Sequence, residues 1–341
     1  MEDIRDITYE RLEEYLISLG EKKFRAKQIW TWLWQKGAGS FGEMSNLSKP
    51  LRERLERGFS FHRAEIVQEV RSKDTTLKFA IQLHDGKEVE GVLIPSKDRV
   101  TACISSQVGC PLGCAFCATG TMGFIRNLHY SEIVDEYVLM NKRAEEVYGH
   151  EISNIVFMGM GEPLLNFDNV MEAINKLTAA DGWALSPTRI TLSTAGIIKG
   201  IKALADRNFP CGLAVSLHSA DPEVRERIMP ITKTNNLHDL QAALRYYHQK
   251  TGDRITLEYL LLSFVNDSVA AAEQLAHFCR PFPVKINIIE YNETPGGKFH
   301  KTYPNHREAF IDYLNSCNMV VKVRASKGQD IAAACGQLVK K

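Results

Sequence analysis

One stretch constrains this chain more than any other: Cys103-Ile-Ser-Ser-Gln-Val-Gly-Cys110-Pro-Leu-Gly-Cys114-Ala-Phe-Cys117. Three thiols stand at C-x3-C-x2-C spacing, just after a strand-like run from Val100 to Ser105, in a loop punctuated by Gly and Pro. A loop this short can turn three sulfurs onto one inorganic centre, and thiolates are soft ligands that suit zinc, copper(I) or iron–sulfur clusters. A closed structural zinc site takes four protein ligands, usually as two separated pairs. Here the loop offers three and stops. Three thiolates on a four-iron cluster leave one iron free for another ligand, as a catalytic cluster requires. Phe116, next to the last cysteine, is placed to shield such a cluster from water and tune its potential. Taken alone, the spacing leaves a structural metal loop, or unligated buried thiols, as alternatives.

A chain of 341 residues holds one large α/β domain or two to three smaller ones, and a hydrophobic fraction of 44% is enough for a packed core. The net charge is +1. No overall field draws this protein to nucleic acid, so any RNA contact must be local. No run approaches a membrane span, and the acidic start Met1-Glu-Asp-Ile-Arg-Asp is unlike a signal peptide. Eight cysteines, three of them clustered, fit metal or catalytic use in a reducing cytoplasm better than a disulfide framework.

Apolar positions from Leu12 to Leu55 recur at helical spacing, broken by Gly20, Gly37-Ala-Gly39 and Pro50, which predicts a helical N-terminal region over 1–62. Within it, Lys22, Lys23, Arg25 and Lys27 alternate with Phe24, Trp30 and Trp32. Such a face can grip phosphate and stack on bases. The blander reading, an amphipathic helix with Trp30 and Leu33 in the core and a solvated basic side, is favoured on residue types alone. Over 63–98 the period becomes two, with Asp85-Gly86 as a hairpin turn, so a β-hairpin extension is expected. Strands and helices then alternate over 99–325, implying a parallel sheet with crossover helices: an α/β partial (β/α)6 barrel, with its chemistry at the C-terminal ends of the strands. A C-terminal segment, 326–341, follows.

Further words occur where strands end. Gly159-Met-Gly161-Glu162-Pro163 permits close backbone approach to a ligand and offers a carboxylate for an ammonium group. As an isolated string it is only a strand-end turn. Ser193, Ser216, Leu217 and His218 end later strands, His218 reading otherwise as a satisfied core histidine, and Asn292 reads alone as a turn residue. Near the chain end, Ala332-Ala-Ala-Cys335-Gly-Gln-Leu places a thiol among small residues, either a mobile catalytic cysteine or a buried inert one. Glu90, unassisted, is an ordinary strand carboxylate. Cys211, Cys279 and Cys317 read as core.

These words, in this order from about Phe24 onward, resemble the RlmN/Cfr family of radical S-adenosylmethionine (SAM) RNA adenine methyltransferases; the first ~20 residues carry no signature of it. The resemblance implies a [4Fe–4S] cluster on Cys110, Cys114 and Cys117. It also implies SAM held by Gly161, Glu162, Ser193, Ser216, Leu217, His218 and Asn292, with two SAM consumed per turnover. Cys335 would carry the methyl group as S-methylcysteine, Glu90 would accept the ring proton, and Cys103 would release the product through a transient disulfide with Cys335. Pro163 is typical of the RlmN branch, which implies methylation at C2 of adenine in 23S rRNA and in tRNA beside the anticodon. Methylation at C8, conferring antibiotic resistance, is the enzymatic alternative. A non-catalytic iron–sulfur RNA-binding or electron-carrier protein is the other, for which Cys335 and Cys103 would be idle. A flavodoxin- or thioredoxin-like reductant, a cytoplasmic location, no membrane and a monomer complete the expectation. Arg126, Lys322, Arg324 and Lys327 are candidate phosphate contacts near the barrel mouth.

Overall fold

The computed structural model describes residues 1–293 and 297–339, so the last two residues of the C-terminal segment 326–341 lie outside it. The chain opens with three helices, α1 (Tyr9–Ser18), α2 (Phe24–Trp34) and α3 (Lys49–Gly58). Thr8 and Ser48 cap α1 and α3 through their hydroxyls, satisfying first-turn N–H groups that have no partner within the helix. Helix α2 buries Ala26, Ile29, Leu33 and Trp34, leaves Trp30 half-buried and exposes Lys27, and Lys22 and Lys23 just before it are exposed too. Arg25 instead turns back onto Gln28 and Asn46.

Strands β1 (Glu65–Arg71), β2 (Leu77–Gln82) and β3 (Glu88–Ser96) run antiparallel, and β3 pairs antiparallel with β4 (Arg99–Cys103). The expected hairpin is therefore three strands continuous with the barrel sheet. The alternation of Leu77, Phe79 and Ile81, all fully buried, sets the face that packs. A small sheet of β5 (Gln107–Gly109) and β6 (Phe124–Asn127) then brackets the cysteine loop and the short helix α4 (Ala118–Thr121). Nothing in the apolar period announced it.

The barrel follows as α5 (Tyr130–Tyr148), β7 (Asn154–Phe157), α6 (Phe167–Thr178), β8 (Ile190–Thr194), α7 (Ile198–Asp206), β9 (Gly212–Ser216), α8 (Pro222–Ile228), α9 (Leu237–Thr251), β10 (Ile255–Leu261), α10 (Val269–Cys279), β11 (Val284–Glu290), α11 (Pro304–Ser316) and β12 (Val320–Arg324). The sheet order is β1-β2-β3-β4-β7-β8-β9-β10-β11-β12, parallel from β4 onward. Each parallel strand before β12 is followed by a helical crossover, giving a (β/α)6 partial barrel with β12 as its edge strand. The barrel strands bury continuous apolar runs such as Tyr259-Leu260-Leu261 in β10, as a sheet covered by helices requires.

Two arginines tie the N-terminal helices to the barrel. Buried Arg5 donates to Asp3 and, at 2.8 Å, to fully buried Asp135 on α5, and Arg63 meets the same carboxylate. Such a desolvated network holds only when every charge is paired.

Candidate active site

The cysteine loop is held from both sides. Cys110 N–H donates to Gly123 O at 3.0 Å, Ala115 N–H to Ile228 O at 2.9 Å, and Ala118 N–H to Gly336 O at 2.7 Å. The last bond already links the loop to the C-terminal segment. Cys110, Cys114 and Cys117 line a cavity of about 170 Å³ with Gly161, Glu162, Ser193, Ser216, His218 and Cys335. Nine of the residues singled out in the sequence thus meet at one mouth. Burial pushes the Cys110 thiol up to about 12 and raises Cys114 as well. Neutral thiols are what an unmetallated apolar pocket favours, and binding of a metal reverses that preference. Phe116 also lines the cavity, with its ring edge-on to His218 at 4.8 Å.

Glycines make the cradle. A Cβ at Gly159 would sit 2.6 Å from Ile104 O, and one at Gly161, where φ is +98°, would sit 2.6 Å from Gln107 Cβ. Glu162 is buried; its Oε2 accepts from Ala195 N–H at 2.7 Å and its Oε1 from Leu164 N–H at 3.0 Å. Burial pushes its carboxyl up to about 7 against those hydrogen bonds. A carboxylate so placed calls for a cation. His218, at φ +57°, accepts the Leu260 N–H on Nδ1 at 3.0 Å, which puts the neutral ring's proton on Nε2. Burial first, then Arg225, pushes its pKa down to about 3, so the ring stays neutral.

Three thiols around one cavity, a glycine-lined backbone and a buried carboxylate suit an iron–sulfur cluster with SAM beside it. Among the described residues no three His, Cys, Asp or Glu side chains converge as ligands of a single ion would. A multi-iron cluster instead spreads its thiolates over different irons.

Cys335 is exposed over the residue as a whole, yet its sulfur is enclosed by protein and also lines a second cavity with Cys103, Met158 and Arg324. Burial raises both thiols, while the Arg324 guanidinium pulls both down. Arg324 lies 3.4 Å from Glu258, so it is ion-paired rather than the free cation expected, with part of its side chain still exposed. Arg126 is likewise committed, to Glu132 at 2.7 Å and Asp85 at 2.8 Å. Lys322 and Lys327 remain exposed.

Glu90 is 7% exposed, not a surface carboxylate: Lys78 Nζ lies 2.9 Å from Oε1, and Val339 N–H donates to Oε2 at 2.7 Å. Asn292 Nδ2 donates to Cys335 O at 3.4 Å, and its Oδ1 accepts from Gln329 at 2.9 Å. Asn292, like Leu217, is not among the residues lining the cysteine cavity, and Leu217 lies farthest from the expectation. Its side chain is fully buried, it is not among the cavity-lining residues, and its carbonyl accepts from Arg225.

Sequence reasoning passed over Arg225 and Glu258. Arg225 is fully buried and donates to Ala195 O at 2.7 Å, Leu217 O at 3.0 Å and Thr232 Oγ1 at 2.8 Å; burial brings its pKa down to about 10. In Glu223-Val-Arg225-Glu-Arg227 nothing distinguishes it from a solvated helix charge. Glu258 did carry a signal: a lone carboxylate inside an apolar strand is not buried without a partner, and Asn287 and Arg324 supply it.

Residues 2–60 match the family model for the ribosomal RNA large subunit methyltransferase N-terminal domain, and residues 104–276 that of the radical SAM superfamily. The match from residue 2 takes in the first ~20 residues, where no signature was read. The chain is 46% identical to a probable dual-specificity RNA methyltransferase RlmN from Christiangramia forsetii, over 99% of this chain and 96% of that protein. It is 46% identical to the dual-specificity RNA methyltransferase RlmN of Nitratidesulfovibrio vulgaris, over 99% and 95%. The crystal structure of a radical SAM methyltransferase from Sphaerobacter thermophilus superposes with a TM-score of 0.93 at 39% identity, covering 99% of each chain.

Proposed function

The chain belongs to the RlmN family of radical SAM RNA methyltransferases, and on that premise we propose that it methylates C2 of adenine in 23S rRNA and in tRNA beside the anticodon, through a methyl group carried on Cys335. The observation that carries this reading is that Cys335 stands between two cavities, one lined by the three clustered thiols and the other by Cys103. Adenine C2 is an electron-poor carbon and a weak nucleophile, so direct attack on a sulfonium methyl has little to drive it. A cluster on Cys110, Cys114 and Cys117, with SAM against it, supplies one-electron reduction and a hydrogen-abstracting radical.

This chain's residues do the rest. Glu162 takes the ammonium end of SAM, Gly161 lets the backbone approach it, and Ser193, Ser216, His218 and Asn292 complete its surround. Leu217 would act through its backbone. Cys335 forms a thioether as one SAM gives up its methyl, so each turnover consumes a second SAM for radical generation. Glu90 takes the ring proton once the carbon is attached. The Cys103 thiolate then bonds to Cys335 sulfur, and the sulfur–carbon bond breaks with its electron pair going to the ring-bound CH2, which takes up a proton to become the methyl group. A thioredoxin-like or flavodoxin-linked reductant returns the resulting Cys103–Cys335 disulfide to two thiols.

The division at 62, 98 and 325 follows from these roles: RNA docking on 1–62, the base on 63–98, the radical chemistry on 99–325 and the carrier on the terminal segment. A cytoplasmic setting is part of the same reading, because three clustered thiols and a thiol carrier need to be kept reduced; among the described residues no helix is long and apolar enough to cross a membrane. Anaerobic reconstitution with iron, sulfide, SAM and unmodified RNA, followed by nucleoside chromatography, tests the proposal. Co-elution with 2-methyladenosine supports it; 8-methyladenosine would move the assignment to the C8 reaction, and no methylated nucleoside would remove it.

A further inference from the structure

Three residues beyond the end of β10, Phe264 is 77% exposed with φ at +56°. A bulky residue avoids the left-handed region, and holding one there costs on the order of 1–3 kcal/mol. Burial does not compensate, because most of the ring is in solvent. The conformation is enforced from beneath. Buried Asp267 accepts the Phe264 N–H at 3.0 Å, while its other oxygen takes the Thr302 hydroxyl and faces His306 Nδ1 at 3.3 Å. Ser263 N–H also bonds to His300 O at 3.0 Å, tying the turn to the segment before α11.

The same carboxylate therefore assembles an aromatic cluster. The Phe264 ring lies 5.9 Å from Tyr303 and 5.5 Å, edge-on, from His306, and Tyr303 is itself 56% exposed. Phe264 lies on the loop after β10, and Tyr303 and His306 stand at the start of α11, which follows the loop after β11; Leu260, Ile289 and Tyr291, at the C-terminal ends of these two strands, line the candidate active site. His300, whose carbonyl holds Ser263, is exposed, as is Lys298 two residues earlier in the chain, and the Glu290 carboxylate before α11 is neutralised by Lys301 and Arg307.

We propose that Phe264, with Tyr303 and His306, forms a stacking platform for an unpaired RNA base flanking the target adenine. This rests on the RNA methyltransferase reading and deepens it. An adenine taken out of its stack leaves a neighbour without a partner, and an exposed ring is the usual protein replacement. The basic rim suits the adjoining phosphates. A protein partner, by contrast, would be expected to bury more than one strained aromatic amid charged side chains.

The test is RNA binding by the anaerobic holoenzyme, followed by fluorescence anisotropy with a hairpin carrying the target adenine, for wild type, Phe264→Ala, Phe264→Gly and Phe264→Trp. Stacking predicts that Phe264→Ala weakens binding about ten-fold, with the slope of log K against log salt unchanged because no phosphate contact is lost. Phe264→Trp should bind at least as tightly as wild type. Phe264→Gly should lose the same affinity while melting no lower than wild type, because glycine relieves the strain. The platform is overturned if wild type binds and Phe264→Ala stays within two-fold of it, or if Phe264→Gly lowers the melting temperature in step with binding. Wild type that fails to bind RNA at all sinks the functional reading itself and the platform with it.

Discussion

Lys78 and Glu90 meet at 2.9 Å across β2 and β3, and together they fasten both ends of the loop that carries Cys335. They are diagonal neighbours on one face, Lys78 lying opposite Val92 and Glu90 opposite Ala80. Lys78 Nζ also donates to Ala332 O at 3.0 Å, three residues before Cys335, and Glu90 accepts from Val339 N–H at 2.7 Å, four residues after it. Farther along, the Ser72 hydroxyl and the Lys73 N–H both donate to the Asp330 carboxylate, and Asp74 accepts the Gly328 N–H at 3.0 Å. The three-stranded extension is thus the seat of the terminal segment. Release of the segment would cost Glu90 the hydrogen bond from Val339.

Lys78→Met should show this coupling twice. Burial raises the Glu90 carboxyl above the usual range, and Lys78 works against that rise. Removing the cation raises it further, so the acid limb of the pH–rate profile moves to higher pH. In the metal-free protein, alkylation of Cys335 by iodoacetamide, followed by mass spectrometry, should become several-fold faster as the loop loosens; Lys78→Arg should restore both. An unshifted limb together with an unchanged alkylation rate would separate Lys78 from the carrier loop.

Arg324 is expected to act on the same thiol from the other side. It opposes the burial that raises Cys335 and Cys103, so Arg324→Leu makes both thiolates scarcer. One unit of further rise slows alkylation at a fixed pH below the pKa about ten-fold, and Arg324→Lys should recover part of the rate. Rates equal to wild type would show that the guanidinium serves Glu258 alone.

How much of this was legible beforehand differs from element to element. The parallel strands were, because each is a short apolar run bounded by turn residues, and so was the cysteine loop, whose spacing has few uses. Helices α7 and α8 were not: α7 lacks a side-chain cap, and α8 is short and dominated by charges. Arg126 and Arg324 looked like free cations because sequence cannot show that Glu132 and Glu258 lie beside them. Glu90 read as exposed since alternation does not say what covers the second face of a strand. Here the chain's own last residues cover it.

Glu162 should leave a mark on stability that needs no cofactor. Its carboxyl titrates near 7 when folded, against 4.5 as the ordinary value, because of burial. Between those two pH values the folded protein binds the extra proton, so stability falls as pH rises through that window. The shift corresponds to roughly 3 kcal/mol at 1.4 kcal/mol per unit. Urea unfolding of metal-free wild type and Glu162→Gln from pH 5 to 8 should give curves that converge toward the variant's favour as pH rises. Parallel curves would mean that Glu162 is ionised throughout.

Gly161→Ala sets the cradle against its function. A Cβ there meets Gln107 Cβ at 2.6 Å and Gln107 N at 2.8 Å, and the residue stands at φ +98°, so neither space nor backbone conformation admits a side chain. Gln107 cannot yield freely, since its Oε1 accepts the Glu162 N–H at 2.9 Å and its Nε2 holds Asn127 at 2.8 Å. Overpacking of this kind costs about 1–3 kcal/mol, which urea unfolding reads as a lower midpoint with an unchanged slope. The displaced Glu162 backbone should also weaken SAM binding to reconstituted protein by at least ten-fold, whereas Gly86→Ala, at an open turn with no atom within 4 Å of a new Cβ, should leave SAM affinity unaltered. Equal SAM affinities for the two variants would dissociate the glycine cradle from cofactor binding.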